Sequence, residues 1–503
     1  MNKHIVELTK EQYEIVNFIP ILLNESDYKS IGIKAFAGCG KSYVLKQIAI
    51  ANPNTKILGL AFNNSIYKEN KESFPKKNTK WFTVHGFAKK YLQKNDINFD
   101  FSNQRKNYKD IVILDILGID KEEIVLGKRI NEVFKVYCQS SLETIDNISI
   151  RKAIKSQMNE YLININDKDL IVACNYAEKL WNKFCSKEIF PTFDFYLKYF
   201  EVNKFAENIT DFHLVELDEA QDSNAVTMSI INQIPAKYIF VGDEHQSIYA
   251  FRGTLNALKY TDKLFYLSTT FRYIPKIADF ANKILRSYKN EKILIKSLAN
   301  SESSKKDNKI AYISRNNASM IQIIAECVQK EEKFVTVREP DELFETAIAI
   351  YEFINNKIIE NSKYDFLKDI SDLKEYIKSS QDNELKVAFN MQQRYKGGLY
   401  VLKRIANKYF KNQKGINTIL TTAHTSKGLE WDKIILVNDF PNIQTLLKNA
   451  KINNVKELLY EAKKNNINAI QIIQEINLYY VAITRARYDI KYQEINLDDL
   501  DDA

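Results

Sequence analysis

The chain has 503 residues, 45% of them hydrophobic, with a formal net charge of +8 and only 13 glycines, which is enough length for about three or four domains of ordinary size. No apolar run approaches the roughly 20 residues of a membrane span, and the opening MNKHIVELTKEQ lacks the apolar core of a signal peptide, so a soluble, cytoplasmic protein without a membrane partner is expected. Five scattered cysteines with no CxxC pair argue against a zinc ribbon, an iron–sulfur cluster or a disulfide frame, while the modest positive charge permits a polyanionic partner without requiring one.

The first telling element is IGIKAFAGCGKSYVLKQIAI. Ile31 to Phe36 reads as a buried strand, the run Ala37, Gly38, Cys39, Gly40 as a tight loop, and Ser42 onward as a helix, the order a phosphate cradle requires. There, backbone N–H groups hold a β-phosphate, Lys41 adds a point charge and the Ser42 hydroxyl ligates Mg²⁺. Ala35 stands where the GxxxxGK[ST] pattern has its first glycine. An ordinary strand-to-helix turn is the competing explanation, and lysine and serine in order after the second glycine weigh against it. The small side chain of Cys39 is read as tolerated rather than as a redox switch.

Further along, HLVELDEAQD delivers Asp218 to the carboxyl end of an apolar strand, Leu214 to Leu217, where ligands bind in open parallel sheets. Asp218 suits Mg²⁺, and Glu219 suits a base that orients and deprotonates water. An acidic pair after a strand often only caps a helix; the phosphate loop upstream favours the catalytic assignment. KYIFVGDEHQSIYAFRG then runs from a strand at Tyr238 to Val241 into a polar turn. Gln246 can touch both a γ-phosphate and its attacking water. Tyr249 and Phe251 offer flat faces for bases, and Arg252 a cation; the alternative is that these aromatics belong to the core.

These segments resemble those of superfamily 1 DNA helicases of the UvrD/Rep type, and GDEHQSIYAFRGTLNAL with TTFRYIPKIADFAN is similar above all to the helicase part of the F-box DNA helicase family. The likeness runs in order from Leu8 to Arg487. It implies ATP and Mg²⁺ as cofactors, with Ser42 and Asp218 as metal ligands. Gln12 in LTKEQ matches a glutamine that reads adenine, and Phe271 an aromatic that stacks on that base. Arg272 in TTFRY and Arg485 in YVAITRAR match arginines that reach the γ-phosphate. In TAHTSKGLEW, Glu430 matches a glutamate near the ribose beside Gly428, while His424 and Lys427 couple nucleotide to track. Phe62 and Asn63 in AFNNS, and Thr83, His85 and Phe87 in FTVHGFA, match the single-strand path; Phe62 and Phe87 have plain core alternatives. Arg315 and Asn317 match a weaker motif. Phe251 replaces a usual tryptophan and Tyr43 a frequent arginine.

The implied fold is α/β: two RecA-like P-loop motor domains with helical insertions. Residues 1–88 and 211–270 are assigned to the first motor domain around a helical insertion at 89–210. Residues 271–340 and 415–503 form the second, around a reduced insertion at 341–414, where relatives carry a larger duplex-contacting domain; weaker autoregulation follows. Strands are expected at IAYIS and FVTV, a polar loop at Ser297 to Lys309, and helices within LFETAIAIYEFINNKII and LKVAFNMQQRYKGGLYVLKRIANKYF. With a short tail after Arg485 and a start at Leu8, neither a C-terminal nuclease nor an F-box is expected. The function implied is ATP-dependent translocation 3′ to 5′ on single-stranded DNA, with unwinding at single/double-strand junctions. Two alternatives stand beside it: a translocase serving a partner such as a nuclease or displacing proteins, and a nucleotide-switched binding ATPase.

Overall fold

The computed structural model describes residues 8–157, 159, 161–249, 255–299, 308–356, 369–379 and 383–492. The chain divides into two compact units, 1–269 and 270–503. The first is built on strands β1 (Ser30–Ala35), β2 (Ile57–Ala61), β3 (Thr79–Thr83), β4 (Leu214–Leu217), β5 (Lys237–Gly242) and β6 (Lys263–Leu267). They pair in the order β3-β2-β4-β5-β1-β6, every neighbour parallel. The central strands β1, β2 and β4 are buried along their whole length, as strands of a parallel sheet covered on both faces are. β4, β5 and β1 are adjacent, so their carboxyl ends bring Asp218, Asp243 and the 36–40 loop to one edge of the sheet.

Between β3 and β4 lie the helices Val84–Lys94, Asp110–Leu117, Ile124–Gln139, Asn147–Gln157, Asp167–Cys185 and Phe193–Val202. Their apolar faces (Phe134, Leu180, Phe184, Phe195) belong to one cluster that continues into the sheet through Leu58, Leu60, Val215 and Phe240. A buried ion pair fastens them: Lys198 Nζ lies 2.6 Å from Glu201 Oε2 and donates to Ser140 O at 3.0 Å, while Ser229 Oγ donates to Glu201 Oε1 at 2.6 Å. Ser229 sits on the helix Ala225–Gln233, which follows Asp222.

The second unit carries a five-stranded parallel sheet in the order Phe334–Thr336, Thr418–Thr422, Ile310–Ser314, Trp431–Leu436, Ala486–Tyr492. The expected helices form at Pro340–Asn356, Asn383–Tyr395 and Gly398–Lys411, with one more at Ile370–Ser379. Phe344, Leu385 and Leu399 share a single cluster with Ile321, Phe334 and Leu420, so this segment packs onto the sheet's own core. Of the polar loop expected at Ser297 to Lys309, residues 300–307 lie outside the described residues. Among the described residues no helix is long and apolar enough to cross a membrane.

Candidate active site

The loop after β1 turns through two glycines with positive φ, Gly38 at 74° and Gly40 at 80°, a region that costs other residues strain. Gly40 is the N-cap of the helix Lys41–Ala51 and offers no side-chain cap, leaving the first-turn N–H groups for an anion. Thr9 and Gln12 form a reciprocal capping box on the helix Lys10–Asn24. With its Oε1 used in that cap, Gln12 lies against the phosphate loop: a Cβ on Gly40 would sit 3.1 Å from its Nε2.

Lys41 Nζ meets Glu219 Oε1 at 2.7 Å, and Ser42 Oγ lies 3.3 Å from Asp218 Oδ2. Burial lowers the Lys41 pKa, but Glu219, Asp218 and Asp243 outweigh it and leave the ammonium above its ordinary value. Burial and the neighbouring Glu219 charge push Asp218 up to about 6, against the opposing pull of Lys41. Glu219 adopts a left-handed backbone, φ 55°, a strained conformation of the kind stored at functional sites.

Two residues that the sequence reading passed over complete the connection. Gln221 donates from Nε2 to Glu219 Oε2 at 2.5 Å and accepts at Oε1 from the Asp243 N–H at 2.9 Å. Asp243 in turn accepts from Gln246 Nε2 at 2.6 Å and from the His245 N–H at 3.0 Å. An unbroken series of contacts therefore runs from Lys41 to Gln246. The visible signal for Asp243 was its place just after the last glycine of a strand, the same relation Asp218 has to β4.

The single-strand candidates divide. Phe62, just past β2, stacks on Tyr249 with ring centroids 5.9 Å apart and planes 22° from parallel. Asn63 is exposed and caps the helix Asn64–Ser73 by accepting from the Ile66 N–H at 2.9 Å. Thr83 likewise caps Val84–Lys94 through the Gly86 N–H. His85 lies edge-on to Phe193 and Tyr196, and burial holds it below the usual imidazole value against the pull of Asp194. Phe87 is a correction: it is fully buried among Tyr91, Phe200 and Phe82, so its ring faces the core and no strand. Phe251 and Arg252 lie outside the described residues.

In the second unit Phe271 is exposed, and Arg272 donates from Nε to Glu430 Oε2 at 2.6 Å. Glu430 also accepts from Arg487, at 2.6 Å from Nη2 and 3.2 Å from Nε. Arg485 is enclosed, 1% exposed, with its guanidinium donating to Val481 O, Leu429 O and Thr484 Oγ1. His424 lies on the short helix Ala423–Ser426, followed by Lys427 and by Gly428 at φ 87°. Arg315 forms a bidentate pair with Glu475, and Asn317 starts the helix Asn317–Gln329.

Residues 23–265 match the UvrD/REP helicase N-terminal domain. This part of the chain is similar to the UvrD/Rep helicases. The chain is also 24% identical over 519 aligned residues to F-box DNA helicase 1 of Gallus gallus, covering 96% of this chain and 48% of that protein. It is 26% identical to F-box DNA helicase protein 1 of Schizosaccharomyces pombe (strain 972 / ATCC 24843), covering 95% and 56%. The chain thus spans about half the length of the curated relatives it matches. The UvrD/Rep match contains the whole network from Lys41 to Gln246 together with the Phe62 and Tyr249 stack.

Proposed function

We propose that the chain is an ATP-dependent DNA helicase that moves 3′ to 5′ along single-stranded DNA and acts at single/double-strand junctions. One observation carries this reading: the contacts from Lys41 through Glu219, Gln221 and Asp243 end on Gln246, whose loop also bears Tyr249, stacked on Phe62. A phosphate site and a face for bases share one loop. Loss of a γ-phosphate contact at Gln246 would thus be felt at Tyr249 and at the strand held there.

Lys41 is paired with Glu219. An incoming phosphate competes for that ammonium, and Glu219 is released to take a proton from the attacking water while Gln221 holds its other oxygen. Ser42 and Asp218 supply the hard oxygen donors that Mg²⁺ takes beside phosphate and water; the ion, when bound, neutralises charge on the phosphate oxygens. Gln12 is assigned to adenine and Phe271 to stacking on it. Arg272 is assigned to the charge developing on the γ-phosphate, as in other phosphoryl transfer. Arg485 shares that assignment only by exchanging its backbone acceptors for phosphate.

Lys41→Ala and Glu219→Gln are expected to lower ATP turnover by about 10² to 10⁴ with unchanged circular dichroism. Turnover retained in either variant removes the assigned site. Polarity and unwinding are tested together by strand separation on 3′-tailed, 5′-tailed and forked duplexes. A translocase that serves a partner is the second reading, favoured by the packing of the helices Pro340–Asn356, Asn383–Tyr395 and Gly398–Lys411 onto the sheet's own core. It predicts ATP turnover stimulated by single-stranded DNA without strand separation. Turnover indifferent to DNA would instead leave a nucleotide-switched binding ATPase.

A further inference from the structure

Arg487, next but one after Arg485, has no role in the scheme above, yet its guanidinium is held by Glu430. Its Nε and Nη2 donate to Glu430 Oε1, and Nη1 lies 3.6 Å from Asp432 Oδ1. Asp432 is buried and fixed from its other oxygen by the Asn308 N–H at 2.9 Å. The Arg487 carbonyl accepts from the Ile274 N–H at 3.1 Å, tying this strand to the segment that bears Arg272. Glu430 uses its second oxygen on Arg272, and only on the inner nitrogen Nε. Among the described residues no acceptor takes the terminal nitrogens of Arg272, and its side chain is 19% exposed.

We propose that Arg487 is a positioning residue: by holding Glu430 it makes Glu430 grip Arg272 at Nε, so that the forked outer edge of the Arg272 guanidinium stays open for a phosphate. The inference rests on the ATPase reading and goes beyond it, since that reading assigns Arg487 nothing. The charge balance supports it. Arg272 and Arg487 neutralise Glu430 and Asp432, and the two guanidiniums together hold Glu430 below the usual carboxylate range although it is half-buried. Without Arg487 the cluster carries one net negative charge, which repels an anion. Glu430 is then also free to rotate onto the terminal nitrogens of Arg272 in the bidentate geometry that carboxylates prefer, closing the edge a phosphate would use.

The test is steady-state ATP turnover of the full chain with saturating single-stranded DNA, comparing wild type, Lys41→Ala, Arg487→Met, Arg487→Lys, Arg272→Ala and the Arg272→Ala/Arg487→Met double variant. Arg487→Met should lower kcat by about 10- to 100-fold, the cost of a misplaced group, with KM for ATP changed less than about twofold. Lysine should recover only part of the loss, because a point charge cannot hold Glu430 as a fork does. The double variant should be no slower than Arg272→Ala, since Arg487 acts only through Arg272. A purely structural role would instead give losses that multiply in the double variant, and this overturns the proposal, as does an unchanged kcat in Arg487→Met. If Arg487→Met fails to fold, Arg487→Gln takes its place with the same expected pattern, since it removes the same charge and fork and leaves Glu430 in place. Wild-type turnover no higher than Lys41→Ala overturns the ATPase reading and the proposal with it, whereas an active wild type with an indifferent Arg487→Met overturns the proposal alone.

Discussion

Gly242, the last residue of β5, has room for a hydrogen and nothing larger: a Cβ there would lie 2.3 Å from Gln221 Oε1. That oxygen is the one that accepts from Asp243, so a methyl group would push Gln221 off both Asp243 and Glu219. Gly242→Ala therefore disconnects the two acidic motifs without removing any charged group. It should lower kcat by about 10- to 100-fold through misplacement of Glu219. KM for ATP should change little, because the phosphate loop and Lys41 are untouched. Steady-state turnover against ATP concentration checks this, and a rise in KM at constant kcat would mean that the Gln221 link serves binding. Glu216 makes a contrast two residues before Asp218. It is fully buried, its carboxyl oxygens lack partners among the described residues, and burial raises its pKa well above the usual value. It is held neutral within the sheet and is given no part in catalysis.

At the scale of elements, the ion pair Lys198–Glu201 lies within the helix Phe193–Val202, and Ser229, donating to Glu201, ties that helix to the one that follows the acidic motif. Removing one partner of a buried pair leaves the other charge uncompensated. Lys198→Met should destabilise the chain by about 3–5 kcal/mol, and adding Glu201→Gln should recover most of the loss. Urea unfolding followed by tryptophan fluorescence measures both, and equal midpoints for the single and double variants would contradict the pairing. The limit of sequence reading lies in contacts between residues far apart in the chain, such as Ser229 with Glu201. β4 was legible to the residue, because a short apolar run ending in an acid is a strong local pattern. Lys41, Ser42, Asp218 and Glu219 stood out as candidates because each lies in a local motif, the first two opening a helix and the last two following a strand, and the structure brings them into contact. Gln221 and Arg487 did not stand out, since their contacts are with partners 22 and 57 residues away, which no local pattern encodes. Phe87 was misread because a core aromatic and a stacking aromatic look alike until the burial is known.

For the whole molecule the question is how a chain with a net charge of only +8 would grip a polyanion. General electrostatic attraction is weak at that charge, so stacking should supply much of the affinity. The stacked pair Phe62 and Tyr249 is the place to look for it. A base slipped onto or between these rings gains about 1–3 kcal/mol without displacing counterions, whereas each phosphate contact adds about 0.7 to the slope of log affinity against log salt on single strands. Phe62→Ala should therefore weaken binding to oligo-dT by about 1–3 kcal/mol and leave that salt slope unchanged. Fluorescence anisotropy across a series of salt concentrations separates the two contributions. A shallower slope in Phe62→Ala would mean that the ring orders a phosphate contact instead. An unchanged affinity would mean that the Phe62 and Tyr249 stack only packs the protein against itself, and the strand path would have to be sought elsewhere on the sheet edge.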